Sequence, residues 1–177
     1  MSNIHEPSLG HHERVSSLAR APHTLTLVSC CGPKLDCFAP ARDLYRSPMF
    51  QKSARWAERN GNNWLVLSAR HGLVSPEEML EPYDQTLKAM TKPQRDAWAS
   101  HVAFQLRAWA AGRNVTSLHV TLLAGAAYAT WIPLALDLAR VVQPLEGMPI
   151  GFRLKWLTEQ LAGQRPLLVP TAAGCTE

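Results

Sequence analysis

A hydroxyl, two adjacent thiols and an amine fall together at Ser29, Cys30, Cys31 and Lys34, directly after the β-favouring run Leu25–Val28. An apolar run that stops abruptly in small, polar and turn residues marks the C-terminal end of a buried strand, where α/β proteins place their chemistry. Backbone amides in such a turn are suited to an anion. Lys34 adds a point charge or, if desolvated, an amine nucleophile. The plain alternative is a tight turn carrying a solvated lysine. Asp36, Asp43 and Tyr45 follow closely.

A second group lies on Ser68-Ala69-Arg70-His71-Gly72 and continues to Glu81-Pro82-Tyr83-Asp84. It gathers a histidine able to stack or handle protons, a basic Arg70, the Tyr83 ring and the Asp84 carboxylate. Against this, Gly72 and the prolines shape a loop, Tyr83 fills a core and Asp84 caps a turn. Gly125 and Tyr128 form a third group, in Ala124–Tyr128. Small residues there admit a ligand close to backbone amides, and helix-to-sheet packing asks for the same residues. Gly147, Gly151 and Arg153 make a weaker fourth group. Cys30, Cys31 and Cys37 lack a C-x₂-C spacing and a matching second half. Neither metal nor cofactor is expected, and the thiols are read as reduced.

The elements that must position these groups follow from periodicity. Leu25–Val28, Trp64–Ser68, Ser117–Leu123 and Val141–Pro144 read as strands. Helical spacing runs through Ala39–Asn60, Gln94–Ala111 after Pro93, a stretch from Tyr128 to about Arg140, and Phe152–Ala162. Arg70–Leu87 reads as a long connection. Alternation of strand and helix predicts a single α/β domain with a mainly parallel central sheet flanked by helices. Residues 1–22 read as a flexible arm, 23–163 as the domain and 164–177 as a tail.

The 177 residues suit one core, and a composition 46% hydrophobic and 18% charged is that of a soluble globular protein. No apolar run approaches the roughly 20 residues of a membrane span, and residues 1–22 carry no secretory signal. A cytoplasmic location is expected, with no membrane partner. The net charge of +4 suits a phosphate-bearing partner without requiring one.

Taken in order, Ser29–Lys34, Ala41–Tyr45 (ARDLY), Ser68–Asp84 (SARHGLVSPEEMLEPYD), Leu122–Tyr128 (LLAGAAY) and Pro144–Leu157 (PLEGMPIGFRLKWL) resemble an uncharacterised bacterial and phage-encoded domain family with an S-x-C-x-x-K-like first loop. More distantly, the order of motifs is similar to that of the peroxide-stress protein YaaA, archaeosine synthase and the uracil-DNA glycosylase fold. The resemblance implies a nucleic-acid theme of DNA binding, base modification or base excision. The water-activating G-Q-D-P-Y segment of uracil-DNA glycosylases is missing, which argues against uracil as substrate.

The expected function is therefore a DNA glycosylase-like enzyme acting on the N-glycosidic bond of a modified base, in phage defence or DNA modification and repair. Asp84 is the first choice for the carboxylate that stabilises the sugar cation, with Asp43 and Asp36 behind it. Lys34 contacts phosphate or attacks the sugar. Ser29, Cys30, Ser68, Arg70, Gly125 and Arg153 are expected to bind substrate, with Tyr45, His71, Tyr83 and Tyr128 walling the base pocket. The alternatives are a non-catalytic DNA-binding stress protein and a base-modifying transferase on a nucleoside or RNA.

Overall fold

The computed structural model describes residues 23–61, 63–130, 132 and 139–163. The predicted arm and tail, and most of the expected helix after Tyr128, lie outside the described residues. The strongest apolar run becomes β1 (His23–Ser29), whose last five residues are all buried. Such a continuous buried run belongs to a strand covered on both faces. It pairs in parallel with β3 (Trp64–Ser68) on one side and with β6 (Leu118–Leu123) on the other.

β7 (Ala139–Val142) adds in parallel beyond β6, and β4 (Gly72–Val74) folds back antiparallel on β3. The five-stranded order is β4-β3-β1-β6-β7. The sheet is thus mainly parallel with one antiparallel edge, and the chain is one α/β domain. The connection from β1 to β3 runs through α2 (Pro48–Asn60), and that from β3 to β6 through α3 (Lys92–Ala111). They progress in opposite directions from β1, so right-handed crossovers put the two helices on opposite faces. The ends of β1 and β6 are therefore the topological switch point, where open α/β sheets bind ligands.

The helices begin where local chemistry lets them. Ser47 accepts a hydrogen bond from the Phe50 amide at 3.1 Å and Pro48 opens α2. At α3 the Thr91 amide donates to Gln94 Oε1 at 2.7 Å. Trp98, Val102 and Leu106 face the core. α4 (Ala126–Ala129) follows β6, and α5 (Ile150–Ala162) lies against α2, with the Trp56 and Trp156 rings 5.9 Å apart and Arg59 Nη1 donating to Leu161 O at 3.0 Å.

Three expectations are corrected. The expected helix Ala39–Asn60 is broken into β2 (Ala39–Pro40), α1 (Ala41–Leu44) and α2, because Tyr45 is extended and Ser47 starts a new cap. The long connection Arg70–Leu87 contains β4 and β5 (Met79–Leu80), and β5 pairs antiparallel with β2. Arg140 lies in β7, so no helix reaches it. Among the described residues no helix is long and apolar enough to cross a membrane.

Candidate functional site

Behind the switch point stands a chain of hydroxyl groups. Ser68 Oγ accepts from the Arg70 and His71 amides at 3.1 and 3.0 Å. With both lone pairs so engaged, its hydrogen points to Tyr83 Oη, 2.7 Å away. Tyr83 Oη in turn shares a hydrogen bond of 2.8 Å with Tyr45 Oη. Ser68, Tyr45 and Tyr83 are buried. Burial, and then the nearby Cys30 sulfur, pushes the Tyr45 phenol up to about 12 and the Tyr83 and Tyr128 phenols higher still. All three are neutral hydroxyls near neutral pH.

Lys34 reaches this chain from the first loop. The loop is tied down by an isolated bridge between Lys34 and Tyr45, with the Leu35 amide donating to Leu44 O at 2.8 Å. Gly32 turns the chain at φ +75°, and a Cβ there would stand 2.7 Å from Ser47 Cβ, so glycine is required. Lys34 Nζ lies 4.4 Å from the centroid of the Tyr83 ring and 5.9 Å from that of Tyr45, a cation–π arrangement. The His71 ring meets Tyr83 edge-on at 5.3 Å. Partial burial, and then the Arg70 charge, lower the His71 pKa, which favours the neutral imidazole.

On the β6 side, Cys30 Sγ lies 3.0 Å from Tyr128 Oη and accepts from the Ala69 amide at 3.4 Å. Trp98 packs its ring on Tyr128 at 5.6 Å and donates from Nε1 to Ser68 O at 2.9 Å. Cys31 Sγ instead lies 3.1 Å from Ser47 Oγ, and burial pushes its thiol up. Cys30 and Cys31 are free thiols.

These elements border two adjoining depressions. A cavity of about 400 Å³ sits at the ends of β1 and β6, lined by Ser29–Gly32, Lys34, Gln85–Lys88 and Gly125–Tyr128. Beside it, a more open cleft of about 470 Å³ is lined by Gly32–Asp36 and Pro82–Asp84. Gly32 and Lys34 belong to both. A further depression of about 590 Å³, between Glu146–Pro149 and α5, contains none of the expected site residues except Gly147.

The structure therefore brings Ser29, Cys30, Lys34, Gly125 and Tyr128 around one cavity and sets Tyr83, Asp84 and Asp36 along the cleft next to it. Other expected contacts are corrected. Ser68 and Tyr45 are sealed within the core, where they hold other groups rather than touch a ligand. Asp43 lies in α1 and in the field of Glu58, whose carboxyl burial pushes up, and it lines neither depression. Arg153 donates to Ala124 O at 3.0 Å and to Met148 O at 2.6 Å, bracing the β6 loop from behind. Arg70 is exposed, 5.9 Å from the Tyr83 ring.

The basic side chains behind the net charge of +4 are also partly spent on the fold. Arg42 pairs with Glu77 and Glu58, Lys92 with Asp96, and Arg95 donates to Leu87 O and Met90 O. Sequence reading missed the Gln85–Lys88 wall, which a 3-10 turn at Leu87–Ala89 carries to the cavity. The Thr86 cap, whose hydroxyl accepts from the Ala89 amide at 3.3 Å, was its available signal.

Fold and site together define an α/β protein with a cavity at the switch point of a mainly parallel sheet. The chain belongs to a family of unknown function, DUF6884, whose model matches residues 25–159. No curated protein and no solved structure matches the chain significantly.

Proposed function

We propose that this protein is a glycosylase-type enzyme acting on the N-glycosidic bond of a modified base in DNA. The observation that carries the reading is the shared wall of the two depressions, where Lys34 borders both the cavity and the cleft of Asp84. A cavity of about 400 Å³ is within the roughly 300–1,000 Å³ of small-molecule sites. It suits an extruded base laid against Tyr128, with the sugar at the Lys34 wall.

Water adds to the anomeric carbon as the carbon–nitrogen bond breaks, and the base leaves with a proton. Asp84 stabilises the cationic sugar and orients that water. Its carboxylate is exposed and gains electrostatic strength once a nucleic acid covers the cleft and removes bulk water. The distant likeness of the motifs to YaaA, archaeosine synthase and the uracil-DNA glycosylase fold supports the nucleic-acid theme, and with it a cytoplasmic role in phage defence or DNA modification.

A second reading is DNA binding without bond cleavage. It is favoured by the composition of the cavity wall, where no lining residue among those described carries a carboxylate. Incubation with genomic and phage DNAs bearing different base modifications, followed by mass spectrometry of released bases, separates the two. Release of a free base above the protein-free control supports the enzyme. Salt-sensitive binding with no release across the panel supports the binder, and base exchange instead of release points to transfer chemistry.

A further inference from the structure

We infer that the cavity at the ends of β1 and β6 is a nucleotide-phosphate site with Lys34 and Lys88 as its counter-charges. Both lysines line the cavity, and neither forms an ion pair with a carboxylate among the described residues. Among the described residues no other lining side chain is charged. Two unneutralised ammonium groups at a concave wall create a positive potential that the surrounding low-dielectric atoms focus.

The backbone adds donors of the same sign. The Cys31 and Gly32 amides lie past the end of the β1 ladder and make no backbone hydrogen bond among the described residues. The positive φ of Gly32 folds that segment along the cavity edge. Amides and lysines gathered without an acid are the chemistry of an anion site. The arginines nearby do not compete for this role, since Arg42 and Arg95 are held by protein acceptors. The ligand chemistry is a phosphate ester attached to a nucleoside, either as a free mononucleotide or as one unit of a strand. The inference rests on the reading of this cavity as a nucleotide site, and not on which bond is broken.

The test is calorimetric titration of the intact chain with four 5′-mononucleotides, their nucleosides, inorganic phosphate and a single-stranded oligonucleotide. A charge-assisted hydrogen bond contributes about 1.5–3 kcal/mol, so at least one nucleotide or the oligonucleotide should bind roughly tenfold or more tightly than the nucleosides. Inorganic phosphate should compete with it. Lys88→Ala, at an exposed position, should lose about tenfold of that affinity, and Lys88→Arg should recover most of it. Mononucleotide binding assigns a free nucleotide as the source, and oligonucleotide binding alone assigns a strand. Equal affinity for nucleotides, oligonucleotide and nucleosides, no binding by any of them, or unchanged phosphate-ester affinity in a folded Lys88→Ala variant, overturns the inference. Phosphate-dependent binding without base release leaves it standing and removes only the glycosidic reading.

Discussion

The Ser68 hydroxyl donates to the Tyr83 phenol across 2.7 Å, because its own oxygen is already occupied by the amides of Arg70 and His71. One buried serine thus fixes two things together: the turn that leaves β3 and the ring on which Lys34 rests. Ser68→Ala strands two amides and the Tyr83 oxygen, and should cost about 1–3 kcal/mol of stability. A denaturant midpoint indistinguishable from the parent protein would mean that water replaces the serine.

The tyrosines offer a test that needs no ligand. The chain has three, Tyr45, Tyr83 and Tyr128, and burial raises all of them above the ordinary value of 10.0. For a raised folded-state pKa, the unfolded chain releases its protons first, so stability is intact below pH 10 and falls as pH rises above it. Ultraviolet phenolate absorbance should therefore appear only together with alkaline unfolding. Phenolate formation near pH 10 in a protein that keeps its native circular dichroism would contradict the buried hydroxyl chain.

Gln105 closes the β4 edge of the sheet. From α3 its Oε1 accepts from the Leu73 amide at 2.7 Å, and its Nε2 donates to His71 O at 3.1 Å and Leu73 O at 3.3 Å. Gln105→Ala should lower stability by roughly 1–2 kcal/mol, and amide exchange of β4 should quicken more than that of β1. Uniform exchange across both strands would show that the edge needs no such cover. Gly72→Ala should be worse, since φ +71° strains an alanine and its Cβ meets Gln105 Oε1.

Where one residue type answered to one physical demand, the fold was legible in the sequence. β3 matches the expected Trp64–Ser68, and α3 and α5 differ from expectation only at their starts. The antiparallel β4 and the β2–β5 ribbon were not legible, because strands of three and two residues carry no periodicity. The loops at the ends of β1 and β6 were found from the strand-to-turn change, and they do form one cavity. The roles of their neighbours were harder to read. Ser68, Tyr45 and Arg153 are polar enough to bind a ligand, and only three-dimensional packing shows their hydrogen bonds spent on the protein itself. Lys88 went unassigned because a single 3-10 turn, too short to have a pattern, brings it to the cavity.

Asp84, beside the Lys34 wall, is the residue proposed to support cleavage of an N-glycosidic bond. The direct measurement is the rate of free-base release by the parent protein and by Asp84→Asn, on whichever modified DNA or nucleotide the parent cleaves. Asp84 is exposed, so the variant should keep its fold and most of its binding. Its turnover should fall by about 10²-fold or more, since a neutral amide cannot stabilise the sugar cation or orient the water as a carboxylate does. Parent and variant releasing base at equal rates, or no release by the parent from any substrate it binds, would rule out this role for Asp84.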